Sequence, residues 1–300
     1  MSEIFSAKDV TKAYNKNIVL KHVNMNVNNL DIYGFVGKNG AGKSTFLKIL
    51  FGLISEDSGE LSLMGSKNKK ETTKNRSNLS GIIEIPSFYT HLTAHENLTA
   101  YCILRAIDKK RISSALEQVG LLHEKNKKVG KFSLGMKQRL GIARAICSDA
   151  TLIVLDEPTN GLDPEGIVEF RGIISRLNQE QGKTFIISSH YITELQKICT
   201  RFGLLVNGII SEELTSNDLG EKIQSSITLT LANVNDGEEL LRSSFPNLGI
   251  ARNENSLIIS KAENNLGEIL ALLSSKNITI KDVQNQTQSI EEYIVNAIKG

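Results

Sequence analysis

Residues 37–44 read Gly-Lys-Asn-Gly-Ala-Gly-Lys-Ser, and this octet constrains the fold more than any other feature of the chain. It fits G-x-x-x-x-G-K-[ST] and is flanked as that pattern requires. The β-rich run DIYGFVG (Asp31 to Gly37) precedes it and a predicted helix (Lys43 to Leu50) follows. Strand, glycine turn and helix together let backbone N–H groups approach phosphate oxygens at the positive end of a helix. Lys43 meets the β- and γ-phosphates and Ser44 offers a hydroxyl to Mg²⁺. Lys38, Asn39, Gly40, Ala41 and Thr45 complete the candidate loop.

Two further runs, TLIVLDE (Thr151 to Glu157) and KTFIISSH (Lys183 to His190), read as buried strands ending in polar residues. Open α/β sheets place ligands at such carboxyl ends. Adjacent carboxylates there are costly unless they hold a cation or move a proton. Beside a phosphate loop, Asp156 reads as the Mg²⁺ partner through water, and Glu157 as the group that polarises an attacking water.

Lys and Arg number 35 against 33 Asp and Glu, a balance that argues against a surface built for nucleic acid. Cys102, Cys147 and Cys199 are odd in number and far apart, which argues against disulfides or a zinc cluster and fits a reducing compartment. The N-terminus has no signal-like apolar run, and the longest apolar stretches are of strand length; the expectation is a cytoplasmic chain. His91 and His95 are four apart, but Thr93 with Glu96 forms a capping-box pattern that leaves His91 outside the helix.

β-rich and helical runs alternate to about residue 211, with a strand at Leu79 to Glu84 and helices between about Leu92 and Gly120. Beyond that the character changes. Residues 221–300 hold 7 Lys and Arg against 10 Asp and Glu, a net of −3 that leaves +5 on residues 1–220. Their order reads strand (Ile227 to Val234), helix (Asp236 to Phe245), hairpin near Asn253 to Ser256, strand (Leu257 to Lys261), helix (Leu266 to Ser275), strand (Ile278 to Val283), helix (Ile290 to Lys299). This is a split βαβ pattern with an added helix.

Leu155-Asp156-Glu157-Pro158-Thr159, with Ser133-Leu134-Gly135-Met136-Lys137-Gln138-Arg139 beginning 23 residues before Asp156 and His190 lying 34 residues after it, resembles the nucleotide-binding subunit of ABC transporters over residues 4 to about 211. The resemblance implies an α/β P-loop NTPase of the ABC type, a mixed sheet with a helical insertion at about 88–145, over residues 1–216. A small accessory α+β domain at 221–300 follows. It also implies ATP and Mg²⁺ as ligands, a head-to-tail homodimer when ATP is bound, and a membrane-spanning permease that holds the chain at the inner face of the membrane. Ser133 and the N–H of Gly135 would touch the γ-phosphate held by the other subunit, although Leu134 and Met136 replace the Gly and Gln of the family pattern L-S-G-G-Q. Asn160-Gly161-Leu162-Asp163 stands at the loop that joins the two sites, His190 at the histidine that contacts the γ-phosphate, and Tyr14 where a ring stacks on adenine.

Glu84, in GIIEIPSFYTHLTAHENL, stands where the family has a Gln that touches Mg²⁺ and the catalytic water. An acidic residue here, with Ile85-Pro86-Ser87-Phe88-Tyr89 and the S-L-G-M-K signature, resembles the bacitracin and lantibiotic self-protection branch. The expected activity is ATP hydrolysis driving export of such peptide antibiotics. Its rivals are export of another substrate class, a transport-independent ABC ATPase acting on ribosomes or DNA, and a nucleotide binder without turnover. The ribosomal and DNA types carry tandem cassettes or long coiled-coil insertions, which this chain lacks. The non-hydrolysing reading is disfavoured by the presence of Lys43, Asp156, Glu157 and His190.

Overall fold

The computed structural model describes residues 2–84, 87–190, 192–222, 225–246, 248–253, 256–260 and 265–287. The chain divides into two compact units, Met1–Ser216 and Asn217–Gly300.

The first unit opens with β1 (Glu3–Tyr14), β2 (Asn17–Asn28), β3 (Ile32–Val36), α1 (Lys43–Phe51) and β4 (Ser58–Leu63). There follow α2 (Lys69–Asn75), β5 (Leu79–Ile82), α3 (Ala94–Leu104), α4 (Arg111–Gln118), α5 (Leu134–Cys147), β6 (Leu152–Asp156) and α6 (Pro164–Gln181). It closes with β7 (Thr184–Ser189), α7 (Ile192–Leu195), β8 (Arg201–Val206) and β9 (Ile209–Thr215), after which α8 spans Ser216–Lys222. β2, β1 and β4 form an antiparallel sheet in that order, and a six-stranded sheet runs β5-β6-β7-β3-β8-β9. In the larger sheet every pairing is parallel except β8 with β9.

β3, β6 and β7 are buried along their whole lengths, as a parallel sheet covered on both faces requires. Their continuous apolar runs, rich in Ile, Val and Phe, follow from that double cover. α1 buries Lys43, Phe46, Leu47, Ile49 and Leu50, the spacing of one helical face. The Phe46 ring packs 5.3 Å from that of Phe35 and 6.1 Å, edge-on, from that of Phe5. This contact locks the start of α1 onto β3 and β1, with each buried ring contributing about 1.5–3 kcal/mol. The phosphate loop therefore hangs between two fixed ends.

Several boundaries differ from the sequence reading. The strand expected over Leu79 to Glu84 stops at Ile82, and two residues on Glu84 has φ 61°, a left-handed turn of the backbone away from the extended path. Between β4 and β5 the chain forms α2, to which the sequence reading gave no element; it is capped by Asn68, whose side chain accepts the Lys70 N–H at 2.9 Å. Thr93 caps α3: its hydroxyl accepts the Glu96 N–H at 3.1 Å, and the Glu96 carboxylate accepts the Thr93 N–H at 2.8 Å. All three cysteines are free and buried.

In the second unit β10 (Ser225–Leu231), α9 (Val234–Ser244), β11 (Gly249–Asn253), β12 (Ser256–Ser260), α10 (Leu266–Ser275) and β13 (Ile280–Thr287) follow in order. The sheet runs β11-β12-β10-β13 with all neighbours antiparallel, the split βαβ arrangement. Its core is its own, built from Ile227, Leu229, Leu257, Ile259, Ile269 and Leu273 among others. The first strand and helix begin two residues earlier than the sequence suggested, and the last strand begins and ends later. Residues 254–255, at the tip of the expected hairpin, and the expected helix Ile290 to Lys299 lie outside the described residues.

Candidate functional site

The order β6-β7-β3 sets three carboxyl ends side by side: Asp156 and Glu157 after β6, Ser189 and His190 after β7, and Gly37 after β3. Register fixes their levels, since Asp156 pairs with Ser188 and Val36 with Ser189. The Gly37 N–H donates to the Ser189 carbonyl at 3.2 Å.

Two glycines of the loop are required by geometry. A Cβ on Gly37 would stand 2.5 Å from the Leu205 carbonyl oxygen, and Gly42 has φ 110° with a would-be Cβ 2.8 Å from Leu20. Gly42 is also the N-cap of α1, and no side chain caps that end, so the first turn presents its N–H groups and dipole to an anion. Lys43 is 5 % exposed. Its Nζ donates to the carbonyls of Gly37 at 2.6 Å and Lys38 at 3.2 Å, and the Ala41 N–H also donates to the Lys38 carbonyl. Lys38, Asn39 and Gly40 are exposed, while Ala41, Ser44 and Thr45 are half-buried.

Glu157 lies at the centre. Its Oε1 is 3.1 Å from Lys43 Nζ and its Oε2 is 2.8 Å from His190 Nδ1. The Lys43 contact is an ion pair without hydrogen-bond alignment, leaving Oε1 buried with no hydrogen-bond partner. A buried acceptor of this kind suits a donor such as a water molecule. Glu157 has φ 47°, a conformation costing about 1–3 kcal/mol in a residue with a side chain.

Sequence reasoning missed Ser188. Its hydroxyl donates to Asp156 Oδ1 at 2.5 Å and accepts the Glu157 N–H at 2.8 Å, so one buried side chain fixes both carboxylate-bearing residues. Only the register of β6 against β7 reveals this, because a Ser-Ser pair has no signature of its own.

Glu84 lies just past the end of β5. Its carboxylate pairs with Lys48 Nζ on α1 at 2.7 Å, largely in solvent, and this hydrogen bond raises the Lys48 pKa above its ordinary value. Tyr14, at the end of β1, is 47 % exposed. Lys12 Nζ lies 5.8 Å from its ring and is held by Asp57 at 2.6 Å. Ser133 caps α5 by accepting the Met136 N–H at 3.2 Å. Among the described residues, no hydrogen bond or ion pair joins Ser133 or Gly135 to residues 37–44.

The oxygen donors of Ser44 and Asp156, with the glycine cradle of residues 37–42, are of the kind that fits Mg²⁺ and a triphosphate. Fold and site together define a P-loop nucleoside-triphosphate hydrolase of the ABC cassette type.

The ABC transporter family model matches residues 20–160. The bacitracin transport ATP-binding protein BcrA of Bacillus licheniformis is 39 % identical, spanning 100 % of this chain and 99 % of its own length. The lantibiotic transport ATP-binding protein SrtF of Streptococcus pyogenes is 39 % identical over 68 % of this chain and 87 % of its own. A dimeric post-hydrolysis ATP-binding cassette bound to ADP and Pi superimposes with a TM-score of 0.63 at 28 % identity, covering 71 % of this chain and 99 % of that one. The chain belongs to the ATP-binding subunits of the ABC transporter family, and its reaction is ATP hydrolysis coupled to transport.

Proposed function

We propose that the chain powers export of peptide antibiotics of the bacitracin or lantibiotic type, conferring self-protection or resistance. The observation that carries this reading is the full-length likeness to a bacitracin transport ATP-binding protein. Glu84 within GIIEIP and the S-L-G-M-K signature support the same branch. Among the described residues no helix is long and apolar enough to cross a membrane. Export therefore needs a membrane-spanning permease, which would hold this subunit at the cytoplasmic face.

In this reading Gly37 to Thr45 cradle the phosphates of ATP through backbone N–H groups, and Lys43 gives up its two carbonyl partners for the β- and γ-phosphates. Ser44, and Asp156 through water, would hold Mg²⁺, which when bound neutralises charge at the β- and γ-phosphates. Glu157 Oε1 accepts a hydrogen bond from the attacking water, while His190, held on Oε2, keeps that carboxylate in line and reaches the γ-phosphate. Tyr14 stacks on adenine. Ser133 and the Gly135 N–H serve the ATP of a second, head-to-tail copy, a reading supported by the dimeric cassette relative. Glu84 would exchange its pair with Lys48 for the metal and the catalytic water.

The test is made in the host. Deleting the gene, or replacing Glu157 by Gln in it, is expected to raise sensitivity to bacitracin or a lantibiotic, and the tagged subunit is expected to purify with an integral membrane protein. Unchanged sensitivity to both antibiotic types would overturn the peptide-antibiotic reading in favour of export of another substrate class, and co-purification with ribosomes would support the transport-independent alternative.

A further inference from the structure

The departure from the family pattern at Leu134 has a counterpart in the fold. Leu134 is the first residue of α5 and, though 37 % exposed, it is not simply directed at water. A Cβ built on Gly161 would stand 2.7 Å from Leu134 Cδ2, so the leucine fills the space that a side chain at residue 161 would need. Gly161 has φ 75°, a backbone state in which glycine is unstrained. On the other side, a Cβ on Gly135 would stand 3.4 Å from Leu162 Cδ2, so Leu162 borders the space beside Gly135. Each leucine thus stands beside the other turn's glycine.

These turns lead to the chemistry from two directions. On one side, Ser133 caps α5 and Gly135 follows Leu134. On the other, the Asn160 N–H donates to the Glu157 carbonyl at 3.2 Å and the Leu162 N–H to the Thr159 carbonyl at 3.1 Å. Residues 157–162 are therefore one hydrogen-bonded turn with the strained Glu157 at its head. Asp163 continues it into α6 by accepting the Gly166 N–H at 2.9 Å. Arg139 on α5 reaches Glu169 on α6 at 3.4 Å, which adds a second tie between the same two helices.

We infer that Leu134 and Gly161 form an intrachain latch, in which Leu134 is a positioning residue that carries movement of the Ser133–Gly135 turn to the turn holding Glu157. The proposal rests on the roles given above to Ser133, Gly135 and Glu157. Its physical basis is packing. Two turns packed through Leu134 on Gly161 move together, because separating them opens a void and bringing them closer produces overlap. Removing the leucine leaves the phosphate loop and Lys43 untouched but lets the Glu157 turn relax. A carboxylate displaced by about 1 Å can lose up to about a hundredfold in rate.

The experiment compares purified Leu134→Gly, Leu134→Met and Glu157→Gln with the unmodified chain, measuring nucleotide affinity with a fluorescent ATP analogue, kcat and KM for ATP, and Tm. Leu134→Gly is expected to bind the analogue within about twofold of the unmodified chain and to lose about tenfold in kcat with little change in KM. Leu134→Met, which refills the space over Gly161, is expected to keep kcat within about twofold. A merely structural role would lower Tm and leave kcat of the folded fraction intact. Full kcat in Leu134→Gly, or equal loss in Leu134→Met and Leu134→Gly, overturns the latch. Glu157→Gln separates the two readings: if it too turns over at the normal rate, the site assignment fails, whereas an inactive Glu157→Gln beside a fully active Leu134→Gly rejects the latch alone.

Discussion

At the scale of single residues the site depends on buried groups with few alternatives. Ser188 both donates to Asp156 and accepts from the Glu157 N–H, so Ser188→Ala strands a backbone donor and loosens both acids, at about 1–3 kcal/mol. We expect kcat to fall about tenfold with ATP affinity nearly unchanged; steady-state turnover beside equilibrium binding checks this, and loss of binding alone would place Ser188 in the cradle instead. Glu84 is a contrasting case. Its pair with Lys48 is exposed and contributes at most about 1 kcal/mol, so Glu84→Gln and Glu84→Ala should melt close to the unmodified chain. If Glu84 moves to the metal when ATP binds, Ala lowers turnover more than Gln, since Gln keeps an oxygen ligand; identical turnover in both variants would reduce Glu84 to a partner of Lys48. The sequence made Gly37, Lys43, Asp156 and Glu157 legible because their chemistry demands particular residue types at particular spacings. Ser188 was illegible because its role exists only through the register of two strands distant in sequence.

At the scale of elements, local signals read well and non-local ones did not. β3, β6 and β7 announced themselves as apolar runs with polar ends. α3 was readable from its cap, in which hydrogen bonds from Thr93 hold the Glu96 carboxyl below its usual range. Thr93→Ala removes the acceptor for the Glu96 N–H and should cost about 1 kcal/mol, lowering Tm by roughly 2–4 °C in a unit of this size without altering turnover; calorimetry beside an ATPase assay checks both. α2 escaped notice because KKETTKN buries only Thr72 and carries no apolar period. β5 ends at Ile82 and Glu84 turns left-handed, a conformation that nothing in GIIEIP specifies. The strand order β5-β6-β7-β3-β8-β9 is likewise a matter of long-range pairing rather than of local pattern.

At the scale of the whole molecule, each unit has its own buried core, while the net charge divides as +5 on residues 1–220 and −3 on 221–300. A chain ending at Ser216 keeps the phosphate loop, both acids and the first core intact, so it should bind ATP with an affinity within about threefold of the full chain. Insolubility with no ATP binding would instead make residues 217–300 part of the cassette's core. In the proposed function, Glu157 polarises the attacking water in a site completed by a second copy of the chain. The most direct measurement is the mass and nucleotide content of the purified Glu157→Gln protein after incubation with ATP and Mg²⁺. With the phosphate cradle intact and the water-polarising carboxylate gone, we expect a complex of twice the monomer mass holding uncleaved ATP, with phosphate release reduced at least about a hundredfold. A monomer that releases phosphate at the normal rate would contradict that reading.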